Sequence, residues 1–147
     1  MQVTVILITH NAKDHLKHCI PPIQNSTIKP RILLVNSSSQ DGTIEEAKRL
    51  GALLVHYSTD YVYDGVQEQP YGEDHPPRPL NVYGVSKLAG DHAIEATGAS
   101  HLILRTSWVY GMRRPNFVLT ILRLAREKPE LAVVEDQAGS PSWARAL

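Results

Sequence analysis

Apolar residues are grouped into short runs along this chain, and the runs alternate between two spacings. Val3-Thr4-Val5-Ile6-Leu7-Ile8-Thr9 is an uncharged β-branched run, the pattern of a strand buried on both faces of a parallel sheet. A helix is predicted over 12–20 and stopped by Pro21-Pro22, since proline lacks the N–H that would continue it. A second strand, 31–36, leads through Ser37, Ser38 and Ser39 to Gly42. Thr43-x-x-Glu46 then reads as a capping box opening a helix over 43–50, which Gly51 closes. Further along, the pattern predicts strand 52–58, helix 81–97, strand 101–106, helix 116–127 and strand 131–135. In the helix from Asn116, Val118, Ile121, Leu122 and Ala125 share one stripe suited to a sheet face, and Pro129 ends it. Residues 66–80 carry four prolines, Pro70, Pro76, Pro77 and Pro79, and are expected to form a long loop.

Strand-then-helix units joined by right-handed crossovers define an α/β fold. The expectation is a small doubly wound, mostly parallel five-stranded sheet in three layers, α/β/α, of Rossmann or flavodoxin type. A 2-1-3-4-5 order puts strands 3–9 and 52–58 side by side.

Composition narrows the function classes. A chain of 147 residues with 42% hydrophobic content and ten prolines is expected to form one globular domain over 1–147 with a real core. Fifteen basic residues balance fifteen acidic ones with no long block of either sign, so neither nucleic acid nor a membrane is expected as a partner. The lone Cys19 cannot form an internal disulfide, and the apolar run 3–8 is too short for a signal peptide or a span. The cytoplasm is the default compartment. His10, His15, His18 and Cys19 raise the question of a metal, but no second ligand pair with zinc spacing follows, so none is expected.

Candidate chemistry lies between residues 58 and 90. The run Ala52-Leu53-Leu54-Val55 leads into Ser58 and Thr59, which puts two hydroxyls at the carboxyl end of a buried strand, where open α/β sheets bind ligands. Tyr83 and Lys87 follow on a helical stretch, four apart and therefore on one face. A phenol is a poor acid or base at neutral pH until a nearby cation favours its anion, and the spacing offers Lys87 for that task. Such a trio suits proton transfer at a carbonyl oxygen. The same spacing also describes an ordinary surface helix with an exposed lysine.

Longer strings carry a resemblance. Tyr57-Ser58-Thr59-Asp60-Tyr61-Val62-Tyr63-Asp64-Gly65, Pro79-Leu80-Asn81-Val82-Tyr83-Gly84-x-Ser86-Lys87-Leu88-Ala89-Gly90, Arg105-Thr106-Ser107-Trp108-Val109-Tyr110 and Asp136-Gln137-x-Gly139-x-Pro141 closely resemble the dTDP-4-dehydrorhamnose reductase family of extended short-chain dehydrogenase/reductases. The likeness runs from about Gly51 to the end, a reductase-like segment 52–147. It implies NADPH- or NADH-dependent reduction of the 4-keto group of dTDP-4-dehydro-L-rhamnose, a step of dTDP-L-rhamnose biosynthesis. Thr59, Tyr83 and Lys87 are then catalytic, and Ser58, Tyr83 and Lys87 contact the cofactor. Thr59, Asp60 and Trp108 bind the nucleotide sugar, which the loop 66–80 borders. Residues 3 to about 52, with Leu33-Leu34-Val35-Asn36 and Gln40-Asp41-Gly42-Thr43, resemble instead the start of a family 2 glycosyltransferase, a βαβα segment over 1–51. That family's usual aspartate at the position of Asn36 and its Asp-x-Asp metal motif are both absent.

The chain thus reads as two rhamnose-pathway fragments joined near Gly51. Its opening lacks the Gly-x-x-Gly-x-x-Gly turn that brings backbone amides to a cofactor pyrophosphate, so weak cofactor binding is expected. On the resemblance, the carboxy-terminal substrate lobe is expected to be missing beyond Pro141, and a homodimer is one way to supply it. Whether the chain is itself an enzyme stays open at this point. An impaired reductase, a non-catalytic α/β remnant and, more weakly, a glycosyltransferase fragment are the readings in play.

Overall fold

The structure is a computed structural model, and residues 3–36 and 39–147 are described. Ser37 and Ser38, part of the loop expected after the second strand, lie outside the described residues. The chain divides into two compact units, Met1–Arg105 and Thr106–Leu147.

The first unit holds β1 (Thr4–Thr9), α1 (Lys13–Gln24), β2 (Arg31–Asn36), α2 (Thr43–Arg49), β3 (Leu53–Thr59), a 3₁₀ turn at Asp60–Val62 and α3 (Val82–Thr97). β4 (His101–Thr106) runs to its boundary. The sheet has four strands in the order β1-β2-β3-β4, with β1–β2 and β2–β3 parallel. The α/β class is as expected, but the strand count and order are not. Residues 131–135 form no strand; Val133 and Val134 are exposed, and an apolar run becomes a strand only when another strand pairs with it. Nor are strands 3–9 and 52–58 neighbours, because β2 lies between them. That expectation rests on burial of both faces of β1. Instead Ile6 and Ile8 are 61% and 83% exposed, so β1 is an edge strand with one bare face.

Alternation explains where the core sits. Leu7, Leu34 and Leu54 meet Leu16 and Ile20 of α1, Ala47 of α2 and Ile94 of α3 in one cluster. The helices of this unit therefore share the sheet face that those strand residues present. Core residues such as Leu34 and Leu54 are fully enclosed, each contributing about 1.5–3 kcal/mol by burial.

Two local expectations also change. α1 does not stop at Pro21 but runs through both prolines to Gln24. The carbonyls deprived of a partner belong to Lys17 and His18, which are exposed and can be served by water, while Ile20 and Ile23 hold the helix to the core. The Gln24 side chain then donates to Leu50 O at 2.6 Å. At α2, the capping box does not form: Gly42, at φ 84°, is the N-cap, Thr43 is buried against α1, and Glu46 pairs with Arg49.

The second unit contains α4 (Phe117–Glu127), capped by Asn116, whose side chain accepts from Leu119 N at 3.1 Å. No residue of α4 is buried. Tyr110 bridges to Trp143, with Tyr110 N donating to Ser142 O and Ala144 N to Tyr110 O. Among the described residues no helix is long and apolar enough to cross a membrane.

Candidate active site

β3 delivers Ser58 and Thr59 to its carboxyl end, and both are buried. Thr59 caps the 3₁₀ turn: its Oγ1 accepts from Tyr61 N at 3.2 Å and donates to Asp60 Oδ1 at 3.1 Å. Asn81 caps α3 in the same manner, accepting from Gly84 N at 2.7 Å, so a polar side chain rather than chance sets where the helix starts. Tyr83 follows in the first turn, 55% exposed, with its ring edge-on to Tyr61 at 5.9 Å between centroids. Lys87 lies one turn on and donates from Nζ to Tyr57 O at 2.7 Å. An ammonium has three donors, so this contact fixes the head group beside β3 and leaves two for another partner.

Gly84 is what lets α3 approach the turn. A Cβ there would stand 2.2 Å from Tyr61 O and 3.0 Å from Pro79 Cβ. Any side chain there would force α3 and the Tyr61 carbonyl apart. The loop after the turn is also built rather than loose: Tyr63 and Tyr71 stack at 4.4 Å, His75 stands edge-on to both, and Tyr71 donates to Asp64 at 2.8 Å. That hydrogen bond, followed by the Val66 amide, holds the Asp64 carboxyl below its usual range.

Beneath the site is a buried polar cluster that sequence reasoning passed over. Asp91 of α3 is 0% exposed; it accepts from Ser58 Oγ at 2.8 Å and lies 3.6 Å from His56 Nε2 and 3.8 Å from Arg105 Nε. The Ser58 hydroxyl thus donates to a carboxylate, and the His56 imidazole faces the other oxygen of that carboxylate. Burial, then the charge of Lys87, push the His56 pKa down, opposed by Asp91 and the Asn36 backbone. The only signal available was the spacing of Lys87 and Asp91, four apart on one helix. His56, Asn36, Ser39, Gln40, Ser86 and Lys87 line part of a pocket of about 290 Å³ at the ends of β2 and β3.

The turn from β1 into α1 lies at the end of the edge strand, with β2 between it and β3, and a helix N-terminus can in principle receive a phosphate. Here its amides are already taken. Asn11 N donates to Ser39 Oγ at 2.9 Å, Ala12 N to Thr43 Oγ1 at 2.9 Å and Lys13 N to Asp41 Oδ2 at 3.0 Å. Asp41, whose carboxyl is held low first by the Thr43 hydroxyl and then by amides of Lys13 and Thr43, places a negative charge at the start of α1. The residues of this turn do not fit a pyrophosphate.

Trp108 belongs to the second unit, at φ 43° and 43% exposed, and packs on Gly139, where a Cβ would come within 2.9 Å of its ring. Of the residues read from the sequence, the structure brings Ser58, Thr59, Asp60, Tyr83 and Lys87 together around the end of β3, with the Ser58 hydroxyl turned inward. Among the described residues no group of three or more His, Cys, Asp or Glu is gathered in a way that could hold a metal.

Fold and site together define a parallel α/β protein with a tyrosine–lysine helix beside a strand-end threonine. The family model for the RmlD substrate binding domain matches residues 29–147, and the chain belongs to that family. It is 47% identical over 114 residues to dTDP-4-dehydrorhamnose reductase of Burkholderia thailandensis and 48% identical over 114 residues to that of Escherichia coli K12, in each case over 78% of this chain and 38% of the relative. It thus spans well under half the length of these curated relatives. A crystal structure of the Bacillus anthracis reductase in complex with NADP superposes with a TM-score of 0.71 at 28% identity, covering 97% of this chain and 67% of that one. The family match begins before Gly51 and takes in β2 and α2, part of the stretch read from its pattern as glycosyltransferase-like, a likeness the comparisons do not show.

Proposed function

We propose that this chain carries the proton-handling half of a dTDP-4-dehydrorhamnose reductase site, for NADPH- or NADH-dependent reduction of the 4-keto group of dTDP-4-dehydro-L-rhamnose in dTDP-L-rhamnose biosynthesis. The observation that carries this reading is the anchoring of Lys87 to the Tyr57 carbonyl, which ties the helix bearing Tyr83 to the strand bearing Thr59. Reduction adds a hydride to the carbonyl carbon and a proton to its oxygen. Tyr83, exposed on the first turn of α3, gives the proton. Thr59 hydrogen-bonds the carbonyl oxygen, for which its hydroxyl must turn from Asp60 to the substrate. Lys87 supplies positive charge beside Tyr83, and its remaining donors suit a cofactor ribose.

The chain by itself is a feeble catalyst on this reading. Positioning contributes about 7–11 kcal/mol to catalysis when both reactants are held in near-attack geometry, and the amides that open α1, bonded to Ser39, Thr43 and Asp41, offer a cofactor no donors. A second copy in a homodimer is the route by which further contacts would be supplied. Turnover of dTDP-4-dehydrorhamnose with either cofactor is expected far below the ~10 per second enzyme median, and Tyr83→Phe should abolish what remains. Turnover that survives Tyr83→Phe would sink the assignment, and turnover near the median would sink the claim of impairment. The same closed turn favours a second reading, a non-catalytic α/β domain. NADPH that leaves the resonances of Tyr83 and Lys87 unmoved would select it.

A further inference from the structure

A carboxylate buried as deeply as that of Asp91 is expensive, since moving such a charge out of water costs several kcal/mol even after relaxation. An apolar residue would pack the third turn of α3 at less cost. What the carboxylate obtains is a directional hydrogen bond to one strand and an ion pair with a second. Ser58, whose hydroxyl it accepts at 2.8 Å, is the residue before Thr59. Arg105, 3.8 Å away on β4, continues past Asp91 to donate to the Tyr63 hydroxyl at 2.6 Å, and its guanidinium lies 5.2 Å from the centre of that ring. One end of the segment 59–63 is therefore held next to the Ser58–Asp91 hydrogen bond, and the other is held by Arg105, which Asp91 faces as its ion-pair partner.

That side chain stands on the helix that carries Tyr83 and Lys87, one turn beyond Lys87. Toward its start the helix meets the same segment again, through the close approach of Gly84 to Tyr61 O. With a contact at each end, α3 can neither slide along nor roll on β3 without breaking one of them. Apolar packing alone would not do this, because it is non-directional and tolerates small displacements. Hydrogen-bond geometry does not.

We propose that Asp91 is a positioning residue: through Ser58 and Arg105 it fixes the register of the Thr59–Tyr63 segment against the Tyr83–Lys87 face of α3. The proposal rests on the reductase reading for its functional meaning, but the register itself exists in the chain without ligand and can be tested there.

The test compares Asp91→Asn, Ser58→Ala and Leu16→Ala in the full chain. Leu16 is a core residue of α1, 1% exposed, and serves as a loss of stability remote from the site. Asp91→Asn and Ser58→Ala are expected to shift the Thr59 amide and the Tyr83 ring resonances. They should also speed hydrogen exchange at the amides of Tyr61 and Tyr63 about tenfold or more relative to the global unfolding rate, since these donate to Thr59 Oγ1 and Asp60 O. Leu16→Ala is expected to lower stability and leave those resonances in place. If Asp91→Asn does not fold, Ser58→Ala decides, because it removes one hydrogen bond and leaves the carboxylate paired with Arg105. Unmoved Thr59 and Tyr83 signals in Ser58→Ala, or equal movement in Leu16→Ala, would overturn the proposal. Failure of NADPH to perturb Tyr83 in the wild-type chain would instead count against the reductase reading and leave these ligand-free results standing.

Discussion

Two of the passages from a strand end into a helix in the first unit, β1 to α1 and β3 to α3, end in opposite chemical states. Between β1 and α1, the amides of Asn11, Ala12 and Lys13 are bonded to side chains of the β2–α2 segment, with the Asp41 carboxylate at the helix start. Between β3 and α3, Thr59 and Asn81 accept from amides of their own turns, Thr59 also donating to its neighbour Asp60, and the Tyr83 side chain is more than half exposed. Strand ends in an α/β sheet are a place where a ligand can bind, and what binds depends on which groups remain unspent. The first turn has spent its donors on its own chain. The second has kept a phenol and two ammonium protons.

The contrast can be broken hardest at Gly84. Alanine is the better helix former by about 1 kcal/mol, yet its Cβ would meet a backbone oxygen at 2.2 Å, and the clash is expected to win. Urea unfolding of Gly84→Ala should show a net loss of about 3 kcal/mol or more. Equal or higher stability would mean that α3 does not press on the turn as described.

A smaller effect is expected from Asn81→Ala, which removes the cap of the same helix and should cost about 1 kcal/mol, with the Gly84 amide exchanging faster. The other turn can be opened instead. In wild-type chain, millimolar ADP should leave the amide resonances of Asn11, Ala12 and Lys13 in place. In Asp41→Ala those of Ala12 and Lys13 should move, since the competing carboxylate is gone. Wild-type amides that respond to ADP would remove the difference between the two turns.

The subtlest effect is that of pH. His56 has a folded-state pKa below 6.5, so as pH falls beneath that value the unfolded chain takes up a proton that the folded chain refuses. This contribution to stability is complete above 6.5 and lost as pH drops toward the folded value. His56→Asn should flatten the stability profile in that window. For Asp41 the folded pKa lies below 3.8, so its contribution is present above that and lost only at lower pH. A profile flat from neutrality to pH 4 would contradict the placement of His56.

The sequence by itself determined the α/β class, because strand-length apolar runs and helical stripes alternate, and local periodicity is enough to report that. It also determined that Tyr83 and Lys87 stand together, since a helix fixes which residues four apart share a face, and that Thr59 closes a strand. Tertiary structure decided what local pattern does not encode. The order of strands followed from which edges found partners: β2 entered between β1 and β3, and the run 131–135 was left without one. Thr43, by pattern the start of a capping box, turned instead to the amide of Ala12, 31 positions away in the chain. Asp91 shows the same limit. Its spacing from Lys87 was visible, but its burial and its three polar neighbours come from two other strands, and contacts between distant segments are set only when the sheet assembles.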